Sequence, residues 1–158
     1  MRRQIKFRGK LRDGGRWVYG SLLTWPDGDV YILYDKDFEK TEKVDKQPVI
    51  PETVGQFTEM YDKVGKEIYE GDIVECVSWN EYFTNPDTGE FMEPFRRMMY
   101  VEYRRGGFKM VEPMPNVCLT DNEWDMPHQN GSLEIKGNIH DNPDMLKNWK
   151  TRHFDGLK

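Results

Sequence analysis

Lys6, Arg8 and Lys10 place a cation at every second position near the start of the chain, and Trp17 and Tyr19 repeat that spacing with aromatic rings a few residues later. Alternate side chains of an extended strand project to one side, so each set forms a row. A row of cations neutralises phosphates, and a row of rings offers unpaired bases a stacking platform worth roughly 1 to 3 kcal/mol per base. Lys6, Arg8, Lys10, Trp17 and Tyr19 are therefore a candidate nucleic-acid surface. A plainer use is that the long basic side chains lie over the two rings, on a solvated face or under the next strand, in cation–π contacts of about 0.5 to 1 kcal/mol. Contact with another protein or with a second copy of the chain is the third use. A further set of cations, Arg96, Arg97, Arg104, Arg105 and Lys109, either extends this surface or sits on the opposite side.

For acid–base or metal chemistry the chain offers three histidines, His128, His140 and His153, among 28 acidic residues. His140-Asp141 with Asp144, and Glu70 or Asp72 brought near by folding, has the donor types for a divalent cation. The spacing fits no metal-site template, and strand neighbours point to opposite faces, so His140 reads better as a half-buried residue at a strand end. Ser132 has no patterned partner. Arg104-Arg105-Gly106-Gly107 lacks the strand-to-helix context of a phosphate loop. Cys76 and Cys118 lie far apart, outside any Cys-x-x-Cys spacing, and read as reduced, buried thiols. The expectation is a non-enzymatic binding module without metal or cofactor.

The elements that must position these residues are mainly strands. With 37% apolar residues in 158, the chain is poor in hydrophobic material, yet it carries 21 aromatic residues (8 Phe, 8 Tyr, 5 Trp), each able to remove roughly 150 to 250 Å² from water. That composition predicts a folded unit with a thin, aromatic core, incompletely buried and prone to self-association. A net charge of −5 opposes wholesale binding to nucleic acid or an anionic membrane, but six basic residues and no acidic one occupy positions 1–12, so the acidity lies downstream. No stretch approaches the ~18 to 20 apolar residues of a membrane span. The expected location is a bacterial cytoplasm.

Asp13-Gly14-Gly15 signals a tight turn. If Asp13 and Gly14 form the loop, Lys10 faces Trp17, Arg8 faces Tyr19, Phe7 faces Gly20 and Ile5 faces Leu22. Ile5, Phe7, Leu11, Val18 and Leu22 then share one face, and the cations, Trp17, Tyr19 and Ser21 the other. Further strands are expected at 30–34, 73–77, 98–103, 108–111, 117–120 and 132–139. Asp35 to Gln47 and the polar segment from Ser78 to Pro94 read as loops, and Glu112 to Gly131 as mostly loop. Asn142 offers an N-cap, with Pro143 at the first helical position, for a short helix at 143–149. One domain is expected over 1–150, with a hairpin region at 4–47, a barrel-like core at 48–141 and a frayed tail at 151–158.

Four stretches carry a family signal: Ile5-Lys6-Phe7-Arg8-Gly9-Lys10; Pro51-Glu52-Thr53-Val54-Gly55-Gln56-Phe57-Thr58; Gly65-Lys66-Glu67-Ile68-Tyr69-Glu70-Gly71-Asp72-Ile73-Val74; and Gly137-Asn138-Ile139-His140-Asp141-Asn142-Pro143. In this order they resemble the YopX family of phage and prophage proteins, from about Ile5 to Leu146. Glu59-Met60 departs from the pattern, where Gly-Leu is more typical. The resemblance implies a β-rich fold containing an SH3-like barrel, a phage or prophage origin, and no transferable catalytic residues. The fold expected overall is mainly β: an N-terminal hairpin and sheet, an SH3-like barrel and a short C-terminal helix.

Overall fold

The computed structural model describes residues 4–34, 45–78, 95–113, 123–126 and 133–147. The chain divides into two compact units, Met1–Met60 with Glu67–Gly71, and Tyr61–Lys66 with Asp72–Lys158.

The first unit is a six-stranded antiparallel sheet. Its strands are β1 (Phe7–Lys10), β2 (Trp17–Thr24), β3 (Val30–Tyr34), β4 (Asp45–Pro48), β5 (Gly55–Tyr61, whose last residue clusters with the second unit) and β6 (Glu67–Tyr69), in the order β4-β3-β2-β1-β5-β6. The first hairpin has the expected register, with Phe7 opposite Gly20, Arg8 opposite Tyr19 and Lys10 opposite Trp17. Its turn differs. Leu11 N donates to Arg16 O at 2.9 Å, and positive φ falls on Gly14 (73°) and Gly15 (62°), so two adjacent glycines, which tolerate this conformation, take the strain and Asp13 is spared. A turn forms at Pro26-Asp27-Gly28, with Gly28 at φ 93° and Asp27 Oδ1 accepting from Asp29 N.

Alternation sends Leu11, Val18, Ile32 and Val49 into one cluster, with Phe7, Leu22, Val30 and Val54 packed against it. Ile5, expected on that face, is 62% exposed. The charged segment read as a loop to Gln47 ends instead in β4, which pairs along β3 (Leu33 opposite Lys46, Tyr31 opposite Pro48). An edge strand needs backbone pairing on one side only, so it accepts charges and a proline. Beyond β4, Val49 bridges Leu11, and a 3₁₀ turn at Pro51–Thr53 carries Thr53 under β1, where its Oγ1 accepts from Lys10 N at 2.9 Å and donates to Ile50 O at 2.6 Å.

The second unit holds a five-stranded antiparallel sheet of β7 (Asp72–Ser78), β8 (Phe95–Arg104), β9 (Gly107–Val111), β10 (Glu123–Asp125) and β11 (Leu133–Asn138), ordered β10-β9-β8-β7-β11. Neighbouring strand residues face opposite sides, yet Ile73 and Val74, Met98 and Met99, and Met110 and Val111 are all buried, so both faces of its centre are covered. The β8–β9 hairpin closes through Arg105 (φ 50°) and Gly106 (φ 83°), the paired positive φ of a two-residue hairpin loop. β10 lies in the stretch read as mostly loop; the strand expected at 117–120 and the segment 79–94 lie outside the described residues. Asp62 is 3% exposed and acts as a turn anchor: Oδ1 accepts from Val64 N and Lys66 N.

Helix α1 covers 143–147 of the described residues. Asn142 does not cap it with its side chain as expected, because Oδ1 turns back to accept from Asn138 N, while its carbonyl accepts from Met145 N. Mainly β is thus the architecture, as expected; the SH3-like barrel is not confirmed, because among the described residues neither sheet closes, although a Leu11–Val49 bridge joins the residues just after β1 and β4 in the first. Among the described residues no helix is long and apolar enough to cross a membrane.

Glu59 adopts φ 66° in β5, the left-handed region that glycine enters without a Cβ penalty. This explains the preference for Gly at a position where the chain carries Glu. We expect Glu59→Gly to raise stability by about 0.5 to 1 kcal/mol, after the entropy glycine adds to the unfolded chain is subtracted. Urea denaturation midpoints of the two proteins check this; a lower midpoint for the glycine variant would refute it.

Candidate nucleic-acid interface

The register of β1, β2 and β5 places Lys6, Arg8, Lys10, Trp17, Tyr19, Gly55 and Phe57 on one side of the first sheet, opposite its aliphatic cluster. Glu67 and Tyr69 of β6 join the same side through their contacts with Lys6, Arg8 and Phe57. These residues share one side of the sheet but sit in unequal surroundings.

Arg8 is not a surface cation. It is 6% exposed, with its guanidinium carbon 4.8 Å from the Trp17 ring centroid and 5.2 Å from that of Tyr69, and Nη2 donates to Glu70 O at 3.0 Å. Two rings and a carbonyl replace the water that a buried charge loses. The guanidinium reaches that carbonyl because residue 55, opposite Arg8 on the intervening β5, is glycine. A Cβ there would stand 2.4 Å from Glu70 O. Of the uses considered for this face, the structure assigns Arg8 to the one in which a basic side chain covers aromatic rings.

Lys6 is partly engaged. Its Nζ lies 2.7 Å from Glu67 Oε2 and 5.9 Å from the Tyr19 centroid. Glu67 Oε2 also accepts from Tyr69 Oη at 2.6 Å. Burial works to raise the Glu67 pKa, but the hydrogen bonds from Lys6 and Tyr69 and the Lys6 charge outweigh it, leaving the carboxyl below its ordinary range. Tyr69 shifts the other way: burial first, then the bond to ionised Glu67, hold its phenol neutral well above the ordinary value of 10. Lys10 is half-buried, its backbone N held by Thr53. Tyr19 is 43% exposed, and its ring meets that of Tyr69 edge to face at 5.4 Å.

Sequence reasoning missed Glu67, Tyr69 and Gly55 as parts of this site, and also a second group on the same side of the sheet: Trp25, Tyr31 and Lys46. Period-2 alternation through 67 and 69, and from Tyr19 through Leu23 to Trp25, was the available signal.

The other candidates resolve differently. In the second unit Arg97 pairs with Glu112 (3.6 Å), Arg104 with Glu102 (2.8 Å) and Lys109 with Asp125, so these cations are matched by carboxylates. His140 is half-buried in a loop that bonds itself: Asn138 Oδ1 accepts from His140 N and Asp141 N, and Asn138 Nδ2 donates to Asp141. A Cβ at Gly137 would lie 2.4 Å from Asn142 Oδ1, so this placement of the Asn142 side chain depends on glycine at 137. No group of three or more His, Cys, Asp or Glu able to hold a metal occurs among the described residues. Cys76, expected buried, is half-exposed; Cys118, His128 and His153 lie outside the described residues.

A family model described as YopX protein matches residues 6–147. Among solved structures, the crystal structure of protein EF1440 from Enterococcus faecalis is similar at 21% identity and a TM-score of 0.48, over 90% of this chain and 98% of that one. The comparison with curated proteins gives no match.

Two outcomes follow from the site. Gly55→Ala should lower stability by about 1 to 3 kcal/mol, because its Cβ meets backbone rather than a movable side chain; chemical denaturation reads the loss, and an unchanged midpoint would contradict the close approach. For Tyr69, the folded pKa is raised, so its contribution is complete below the unfolded value near 10 and is lost as pH climbs toward the folded one. Between about pH 9 and 11 the wild-type midpoint should therefore fall more steeply than that of Tyr69→Phe. Parallel pH profiles would show that the phenol is not held neutral.

Proposed function

The chain belongs to the YopX family, and from that membership and the chemistry of its first sheet we propose a non-enzymatic binding module that takes nucleic acid on the first hairpin. The observation that carries this is Tyr19: an exposed ring, steadied by the buried Tyr69 ring and with Lys6 beside it. A ring already held in place loses little freedom when a base stacks on it. Lys6, Lys10, Trp17 and Tyr19 are the contact residues of this reading, and Arg8 positions Trp17 from beneath. The phage or prophage origin and the bacterial host cytoplasm belong to the same proposal.

Acid–base catalysis finds less support. Glu67 and Glu134 both have their pKa lowered, opposite to what a general acid needs. A second reading, contact with a protein or another copy of the chain through the same hairpin, is favoured by Ile5, 62% exposed at the entry to β1.

Titration of intrinsic tryptophan fluorescence with single-stranded and duplex DNA and RNA tests the proposal. We expect saturable quenching, weaker with rising salt by a slope of about −0.7 per phosphate neutralised on a single strand, and roughly tenfold weaker in folded Tyr19→Ala or Lys10→Glu. No response to any nucleic acid at low salt would remove it. A mass above 18.8 kDa by light scattering that returns to the monomer in Ile5→Asp would then put self-association in its place.

A further inference from the structure

We propose that the nucleic acid bound is single-stranded, and that its site runs past the first hairpin to a second aromatic and lysine cluster formed by Trp25, Tyr31 and Lys46. This rests on the nucleic-acid reading above and extends it to a substrate class and a longer footprint.

Lys46 Nζ lies 5.5 Å from the Trp25 ring centroid and 5.1 Å from that of Tyr31, so the three side chains share one side of the sheet. That side is the one bearing Tyr19. β2 pairs with β1 and with β3 without a register shift; Leu23, four residues after Tyr19, faces the same way, and Tyr31 stands opposite Leu23. The two clusters share one chemistry, an exposed ring with a lysine beside it: Tyr19 (43% exposed) with Lys6 at 5.9 Å, then Trp25 (46% exposed) with Lys46, which also covers the half-buried Tyr31. Asp29, the carboxylate hydrogen-bonded by Tyr31 Oη, is paired with Arg12 at 2.8 Å, which offsets its charge at that end.

A sheet face with rings standing on it reaches bases that are unstacked and splayed, and these belong to single strands; in a duplex each base face is already covered by its neighbours. Six residues separate Tyr19 from Trp25, a span of about 20 Å along the strand. One base cannot serve both rings, so the two clusters hold separated nucleotides of one strand, with Lys10 beside Trp17 at one end and Lys46 at the other taking phosphates. Stacking is tolerant of sequence, so little base preference is expected.

The test uses fluorescence anisotropy of labelled oligothymidylates of about 4 and about 12 nucleotides, the range of single-strand site sizes, with a duplex of the longer length. The full chain should bind the longer strand at least roughly tenfold more tightly than the shorter one, and more tightly than the duplex. Trp25→Ala should lose roughly fivefold or more on the longer strand, while Trp25→Phe, which keeps a ring, retains most of it; unfolding curves confirm that both variants fold. Unchanged affinity for the longer strand in both Trp25→Ala and Lys46→Glu, or duplex binding as tight as single-strand binding, would overturn the inference. Loss in Tyr19→Ala with none in Trp25→Ala would leave the first-hairpin reading standing and this one refuted. Absence of binding to every probe would refute both.

Discussion

The first sheet depends on how a guanidinium is kept out of water at its centre. A guanidinium needs either water or partners, and placing that of Arg8 at 6% exposure requires compensation from its surroundings. Trp17 on the neighbouring β2, Tyr69 on β6 beyond β5 and the carbonyl of Glu70 supply it. The last two are themselves supported. Tyr69 is fixed by Phe57 and by its bond to Glu67, and Glu67 by Lys6. The carbonyl is within reach because Gly55 carries no side chain. Three separate family stretches thus contribute to one contact, which gives them a structural reason to occur together.

This arrangement divides one side of a sheet into two zones. Toward β6 the charges are spent internally, on Glu67 and on the backbone. Along β2 and out to β4, rings and lysines stand partly in water. On the proposed nucleic-acid reading, burying cations at one end while displaying them at the other would leave an acidic protein a local surface for an anion, since screening over about 8 Å at physiological salt limits how far the distant carboxylates are felt.

Much of the fold was legible in the sequence where a local rule decides it. Register in the first hairpin followed from alternation, because any slip would have sent basic side chains into the aliphatic cluster. The turn at Gly106 followed from glycine chemistry. What was not legible depended on distant partners. Arg8 looks identical to Lys6 and Lys10 in a strand pattern, and only the approach of β6, some sixty residues later, separates a buried stacking group from surface cations. β4 was hidden for a related reason: an edge strand needs no apolar signature, so its charges and proline read as loop. Asn142 was misassigned because a side chain that can cap a helix can equally close the turn before it, and the absence of a Cβ at Gly137 leaves room for the second. No local pattern in the chain specifies whether a sheet closes, so the barrel expectation could not be decided from sequence.

The long reach of the Arg8 contact also sets an order of events for a chain made from its N-terminus. β1, β2 and β3 are joined by short turns and can pair as soon as they emerge, within microseconds for a hairpin. The carbonyl that receives the guanidinium belongs to residue 70, and the ion pair of Lys6 to residue 67. Until those residues leave the ribosome, at roughly 5 to 20 residues per second, the meander carries a cation with only one of its rings in place, and the entropy of closing the intervening loop is unpaid. Commitment of the first sheet is therefore set by the arrival of a three-residue strand, and the nascent chain passes seconds as an incomplete sheet with an open edge, the state in which capture by a chaperone or by another nascent copy competes with folding.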